Sequence, residues 1–416
     1  MLVFYSLALL LVLVIGAPYW LFRMAVSGKY REGLSERLGI VPKRLRFAER
    51  VIWLHAVSVG EILAASRLIQ ELDVRSGCRV MISTTTRTGQ QLARERFGAD
   101  RVFYFPLDFA FAARAWQRVL RPHMVVLLET EFWPRMLVEC RKTGTPVAVV
   151  NARISDRSWP RYLRLRFLWR RLLSSLAIVL AQSELDAERL KALGASNVSV
   201  CGNLKYDIRA ANPAAATEAL RANLPAGATV IVCGSTLADE EELLVEAKPD
   251  DAIMILAPRH PERFAAVTAM LTQRKISFVR RSQWMNKPEP LAPGAVMLLD
   301  TIGELASVYS LASVAFVGGG IFVPGGHNPL EPAQFGVPVV MGPHYENFRG
   351  IVEKLRAEQA VAVVEPSHIA DTLREMLANQ QAARAMGARA RDICEREMGA
   401  TDRALKALLA VLEAQV

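Results

Sequence analysis

The stretch VIWLHAVSVGEILAASRLI, residues 51–69, decides the fold. An apolar run ends near Val57 and passes at once into a helical stretch from Gly60. A short buried strand feeding straight into a helix is the first half of a strand–helix–strand unit. The alternation continues through the chain. Strand-like runs fall at 51–57, 79–83, 102–105, 124–128, 146–150 and 177–181, separated by helical stretches at 60–72, 88–97, 109–119, 132–142 and 184–193. After a small-residue segment, RAANPAAAT (209–217), a second series begins, with strands near 229–233, 253–257, 276–280, 296–299, 314–317 and 337–341. Strands alternating with helices build parallel sheets covered on both faces. The fold class is therefore α/β, with two doubly wound domains, as expected for a chain of 416 residues.

Charge and hydropathy narrow the setting. Residues 1–22, MLVFYSLALLLVLVIGAPYWLF, carry no charged side chain, and about 20 apolar residues are enough for a helix to cross a bilayer. No basic residue precedes the run and GAPYW is a poor cleavage site, which argues against a secretory signal. Gly16 and Pro18 leave open a helix lying in the interface. Arg23, Lys29, Arg31, Arg37, Lys43, Arg44 and Arg46 follow, and positive charge on that flank places the remainder on the cytoplasmic side. A net charge of +10 implies an anionic partner. No RRM, KH or zinc motif is visible, so nucleic acid is not expected as that partner. The five cysteines are scattered without a CxxC, which fits a reducing compartment. The expected organisation is an anchor at 1–22, a first domain at 23–208, a linker at 209–224, a second domain at 225–395 and a C-terminal helix at 396–416.

Polar residues gather at the predicted strand ends, where ligands of open α/β sheets bind. HAVSVGE (55–61), STTTRTG (83–89), ETEFWP (129–134) and NARISDRS (151–158) belong to the first series. Glu61 is one carboxylate in the first turn of a helix, where the dipole stabilises an acid by roughly 0.3–1 kcal/mol. That ordinary explanation outweighs a catalytic one on physical grounds alone. In the second series VGGGIFVPGGHNPLEPAQFG (317–336) leads a strand through two glycine clusters into a short helix. Asn328 suits its N-cap, Pro329 its first position and Glu331 a capping box. The same arrangement presents free amides to an anion. It is not GxxxxGK[ST], so it is not an ATP-hydrolysing loop. Arg259, in APRHPERF (257–264), is placed to meet a phosphate or to sit in a surface ion pair. RISDRSWPRYLRLRFLWRRLLSSL (153–176) interleaves arginines with Trp159, Tyr162, Phe167 and Trp169, as in a basic amphipathic helix on an acidic membrane.

Together HAVSVGE, ETEFWP, NARIS, GNLKYD (202–207), GST with the following acids (234–242), APRHPER and GGHNPLEPAQFGVPVVMGP (325–343) resemble the 3-deoxy-D-manno-octulosonic acid (Kdo) transferase family over nearly the whole chain. The resemblance implies a GT-B fold, two Rossmann-like domains facing across a cleft, and transfer of Kdo from CMP-Kdo to a lipid A precursor at the inner membrane. It makes Glu61 the general base and Glu131 and Lys205 transition-state stabilisers. For CMP it points to Pro258 and Arg259, to Ile302, Gly303 and Glu304, and to Asn328, Pro329, Leu330 and Glu331. The chemistry is inverting, with one base and a stabilised phosphate leaving group. No DxD motif occurs and Glu129–Glu131 is a weak metal motif, so no cofactor is required, and Mg²⁺ enters only as an activator. Two other readings stay open: a GT-B enzyme using a UDP-sugar, and a silent nucleotide-binding membrane protein.

Overall fold

A computed structural model describes residues 2–27, 31–46, 49–208 and 215–414. The chain forms two compact units, Met1–Ile208 with Met398–Val416, and Arg209–Glu397. Each is built on a seven-stranded sheet in which every pairing is parallel.

The first sheet contains β1 (Val51–His55), β2 (Arg79–Thr84), β3 (Val102–Tyr104), β4 (Met124–Leu128), β5 (Val147–Ala152), β6 (Ile178–Ala181) and β7 (Val198–Val200), in the order β3-β2-β1-β4-β5-β6-β7. Side chains alternate between its faces. Val51 and Trp53 enter one hydrophobic cluster while Ile52 and Leu54 enter the other, and all four are buried. Both faces are therefore covered, which explains the unbroken apolar runs in the sequence. Trp53 packs 5.5 Å from Phe103 and 6.1 Å from Trp116, centroid to centroid, and its Nε1 donates to Ser83 Oγ at 2.7 Å.

The second sheet contains β8 (Val230–Thr236), β9 (Ile253–Pro258), β10 (Phe278–Arg280), β11 (Val296–Leu298), β12 (Val314–Val317), β13 (Val339–Met341) and β14 (Ala362–Val363), in the order β10-β11-β9-β8-β12-β13-β14. In both sheets the order reverses beside the first strand, between β1 and β4 and between β8 and β12. These are the switch points beyond whose carboxyl ends a ligand crevice forms.

Three features differ from the sequence reading. Residues 209–214 of the expected linker lie outside the described residues, and 215–222 form a helix whose Leu220 is buried against the second unit's core. The C-terminal helix, Ala400–Glu413, belongs to the first unit. Ala404, Leu405, Leu408 and Leu412 share a core with Ile62, Leu68 and Leu72 of the Val59–Arg75 helix. Arg67 donates to both carboxylate oxygens of Asp402 at 2.8 and 3.0 Å, and Asp207 accepts from Gly399 N at 2.6 Å and from Thr401 N. The basic segment is two helices, Trp159–Arg164 and Arg166–Leu173. Trp159, Tyr162 and Trp169 pack on the core, whereas Phe167 is 69% exposed beside exposed arginines.

The N-terminal helix Leu2–Ser27 runs through Pro18 without a break, and its Leu2–Val26 stretch is long and apolar enough to cross a membrane. Its first turn touches the first unit: Arg135 Nε donates to Ser6 Oγ at 2.8 Å and Arg135 Nη2 to Leu2 O at 2.5 Å. All five cysteines are free and buried.

Candidate functional site

At the first switch point the turn after β1 builds a reciprocal cap. Ser58 is the N-cap of the Val59–Arg75 helix, and its Oγ lies 3.4 Å from Glu61 N. The Glu61 carboxylate reaches back and accepts from Val57 N at 2.8 Å and from Ser58 Oγ at 2.9 Å. This is a variant of the Ser-x-x-Glu capping box in which the glutamate reaches the amide one residue before the N-cap and the N-cap hydroxyl. Ser58 and Glu61 show it in the sequence, where only the helix dipole had been weighed. Yet capping does not hold Glu61 in its usual range. Burial, with the charge of Glu129 and a smaller contribution from Glu131, pushes the Glu61 carboxyl up to about 7 against the pull of Val57 N–H and Ser58 O–H.

The end of β4 supplies its neighbours. Glu129 has φ 54°, a left-handed conformation that costs a residue with a Cβ on the order of 1–3 kcal/mol. The turn continues through Phe132 N donating to Thr130 O at 2.8 Å, and Pro134 opens the next helix. Glu129 and Glu131 are both half-buried, so neither carboxylate is sealed in the core. Burial and Glu129 also raise the Glu131 carboxyl. Glu129 lies 3.8 Å from Arg153 Nε.

Lys205 comes from a short 3-10 turn, Leu204–Asp207. Asn203 caps that turn by accepting from Lys205 N at 3.0 Å. Asn151, at φ 60° and buried, fixes the turn by accepting from Leu204 N at 3.1 Å. Burial lowers the ammonium pKa, while Glu129 and Glu61 oppose the shift. Glu61, Glu129, Glu131, Lys205 and Arg153 thus form one electrostatically linked group. Sequence reasoning gave roles to Glu61, Glu131 and Lys205, weighed Glu129 only as part of a weak metal motif, and missed Arg153, although it lies in a quoted motif. His55, wholly buried at the end of β1, is a poor candidate for the base: its Nδ1 lies 3.0 Å from Ser83 Oγ, and burial drives its pKa to about 3.

In the second unit Pro258 ends β9 in the core and Arg259 follows it, exposed. The Arg259 charge reaches His327, held down to about 4 chiefly by burial, and Glu331, whose carboxyl is raised by burial despite Asn328 and Arg259. Arg259, His327, Asn328 and Glu331 therefore form a second group. His327 was not singled out from the sequence. The helix there is only Leu330–Ala333, with Asn328 Oδ1 accepting from Leu330 N at 3.1 Å, so its dipole is that of a single turn. Pro329 and Leu330 are buried and shape the turn. Ile302, Gly303 and Glu304 lie on a different loop, after β11. Ile302 is 81% exposed, Gly303 has φ 90°, and Glu304 is paired with the buried Arg281 at 2.8 Å. Among the described residues no group of three His, Cys, Asp or Glu side chains is arranged to hold a metal ion.

Residues 32–208 match the family model described as 3-Deoxy-D-manno-octulosonic-acid transferase (kdotransferase). A 3-deoxy-D-manno-octulosonic acid transferase of Haemophilus influenzae is 32% identical over 406 residues, covering 94% of each chain. The chain belongs to the Kdo transferase family. A Bordetella pertussis relative of the same name is 34% identical over 374 residues, covering 86% of each chain. The GT-B fold of this transferase is shared with Acinetobacter baumannii MurG, at a TM-score of 0.55 and 15% identity over 86% of this chain and 98% of that one. A glycosyltransferase of Rickettsia africae has the same TM-score, at 12% identity over 88% and 99% of the two chains. These distant likenesses speak to the fold alone. Family membership makes the chain a glycosyltransferase, in agreement with the resemblance read from its motifs.

Proposed function

We propose that this Kdo transferase moves Kdo from CMP-Kdo to a sugar hydroxyl of a lipid A precursor with inversion, at the cytoplasmic face of the inner membrane. The observation that carries the reading is the placement of Glu61 at the end of β1, its carboxylate held by Val57 N and Ser58 Oγ beside Glu129 and Glu131, where burial and their charge push its carboxyl up to about 7. A general base works best with a pKa near the operating pH. The acceptor oxygen attacks the anomeric carbon of Kdo as its proton passes to Glu61. The bond from that carbon to the CMP phosphate breaks, and CMP leaves with the bonding pair. Attack opposite the leaving group inverts the centre, through a transition state with oxocarbenium character like that of glycoside hydrolysis. Glu131 and Lys205 stabilise that state, and Arg259 with residues 327–331 takes the nucleotide. Side chains suffice to neutralise a single phosphate, so the reading requires no metal, and Mg²⁺ acts at most as an activator.

The acceptor is a lipid, and the apolar Leu2–Val26 helix and the exposed Phe167 among arginines suit an anionic membrane surface. Mass spectrometry of lipid A precursor incubated with CMP-Kdo and the protein tests the proposal. The expected product carries added Kdo, and its mass counts the units. Calorimetry with CMP and UDP tests the donor. Tighter UDP binding, with no Kdo product, would favour the UDP-sugar alternative; nucleotide binding without any transfer would favour a silent binder.

A further inference from the structure

The glycine loop after β12 offers a row of main-chain amides, the usual means of holding a phosphate. Here those amides are already engaged. Glu240, the first residue of the Glu240–Ala247 helix, is only 1% exposed. Its Oε1 accepts from Gly319 N at 2.9 Å and from Gly320 N and Ile321 N at 3.1 Å. Its Oε2 accepts from Gly319 N at 2.8 Å and from Leu237 N at 2.9 Å. Four amides thus converge on one carboxylate at the switch point between β8 and β12.

We propose that Glu240 is a positioning residue for the nucleotide site: its carboxylate occupies the anion nest of the glycine loop and fixes residues 318–328 before any donor arrives. The proposal rests on the reading that CMP binds at Arg259 and residues 327–331. A buried carboxylate is tolerable only when its charge is compensated, and here main-chain dipoles do so. Glycine makes the approach possible. A Cβ on Gly318 would lie 2.7 Å from Glu240 Oε2, and Gly319, at φ 80°, has no Cβ to strike the imidazole of His327. The path from the carboxylate is short: amides of 319–321, the ring of His327 lying on Gly319, then Asn328. Two anions cannot share one nest, so the donor phosphate falls to Arg259 and the polar side chains of His327 and Asn328. A loop held in its bound shape beforehand spends less binding energy on ordering.

The test is calorimetry of CMP on the full-length chain and on Glu240→Gln, Glu240→Asp and Arg259→Ala, with thermal melts of each. Gln presents an amide N–H₂ to donors, and Asp withdraws the charge by one methylene. Both are expected to weaken CMP by about tenfold or more while still melting cooperatively. KM for CMP-Kdo should rise more than kcat falls. In Glu240→Ala, formate is expected to restore part of the lost affinity by entering the vacated nest. A purely structural role would lower the melting temperature and leave CMP affinity unchanged. A parent that ignores CMP overturns the reading of the site, and Glu240's role with it. A parent that binds CMP, with Arg259→Ala weakened and the folded Glu240 variants within twofold of the parent, overturns the role of Glu240 alone. Should Glu240→Gln fail to melt cooperatively, Glu240→Asp decides.

Discussion

The two units place acids at the same topological point and treat them in opposite ways. Beyond β1 and β4, Glu61, Glu129 and Glu131 crowd together, and burial with mutual repulsion raises the Glu61 and Glu131 carboxyls. Beyond β8 and β12, Glu240 stands surrounded by amides. Strand order puts an acid at the crevice in both units. The partners of that acid decide whether it is reactive or structural. An under-compensated carboxylate with a pKa near neutrality can take a proton at physiological pH. A carboxylate saturated with hydrogen bonds cannot do so without breaking them.

Replacing the under-compensated acid should have the largest effect. Glu61→Gln preserves shape and removes basicity. Kdo transfer, measured as product per unit time at saturating donor and acceptor, should fall by about 10²–10⁴-fold. CMP affinity by calorimetry should not change, because Arg259 and residues 327–331 belong to the other unit. Turnover within tenfold of the parent would remove Glu61 from the chemistry and dissolve the contrast between the two acids.

The same chemical change should act on stability with opposite signs at the two points. Ionising Glu61 in the folded chain requires passing a pKa of about 7, against 4.5 in the unfolded chain. Below 4.5 the acid is protonated in both states and costs nothing. Stability is lost as pH rises through the interval, and above 7 the deficit is on the order of 3 kcal/mol. Glu61→Gln escapes that loss, so its stability relative to the parent should increase between pH 4 and pH 8. Glu240→Gln should instead destabilise at pH 8 by about 1–3 kcal/mol, because one of the two acceptor oxygens becomes an N–H₂ facing buried amide donors. Urea melts of both variants at the two pH values measure this. A relative gain for Glu240→Gln at pH 8, or none for Glu61→Gln, contradicts the distinction.

The sequence revealed the fold more fully than the site. Strands buried on both faces stand out as apolar runs, so β1 to β6 and β8 to β13 were legible to within a few residues. The misses, β7 and β14, are edge strands of three and two residues. With so few buried side chains, neither interrupts the background. The C-terminal helix was visible, but its place was not. Its apolar stripe says that it packs, and only the contacts of Leu405 and Leu408 with the Val59–Arg75 helix say where. For the site, motif resemblance singled out Glu61, Glu131 and Lys205, and the structure brings them into one group. The left-handed backbone at Glu129 and Asn151 was invisible, because a positive φ at a residue with a Cβ leaves no compositional trace. Glu240 sits in a run of three glutamates, and nothing in GSTLADEEE tells which one turns inward. Glu241 is also buried, but it is paired with Arg263 at 2.9 Å.

The smallest expected effect tests why Glu61 is poised. Its carboxyl is raised first by burial and next by the charge of Glu129. If Glu61 is the base, the transfer rate should climb with pH through about 7 and then level off, since only the ionised form accepts a proton. Glu129→Gln removes the neighbouring charge but leaves the burial. The limb should therefore move to lower pH and still lie above the 4.5 of an exposed glutamate. The plateau height is a poor readout, because Glu129 also pairs with Arg153 and its charge bears on Lys205. The midpoint of the limb reports on Glu61 itself. A midpoint that stays near 7 in Glu129→Gln would show that burial alone sets the base, and one that falls to 4.5 would show that the repulsion does.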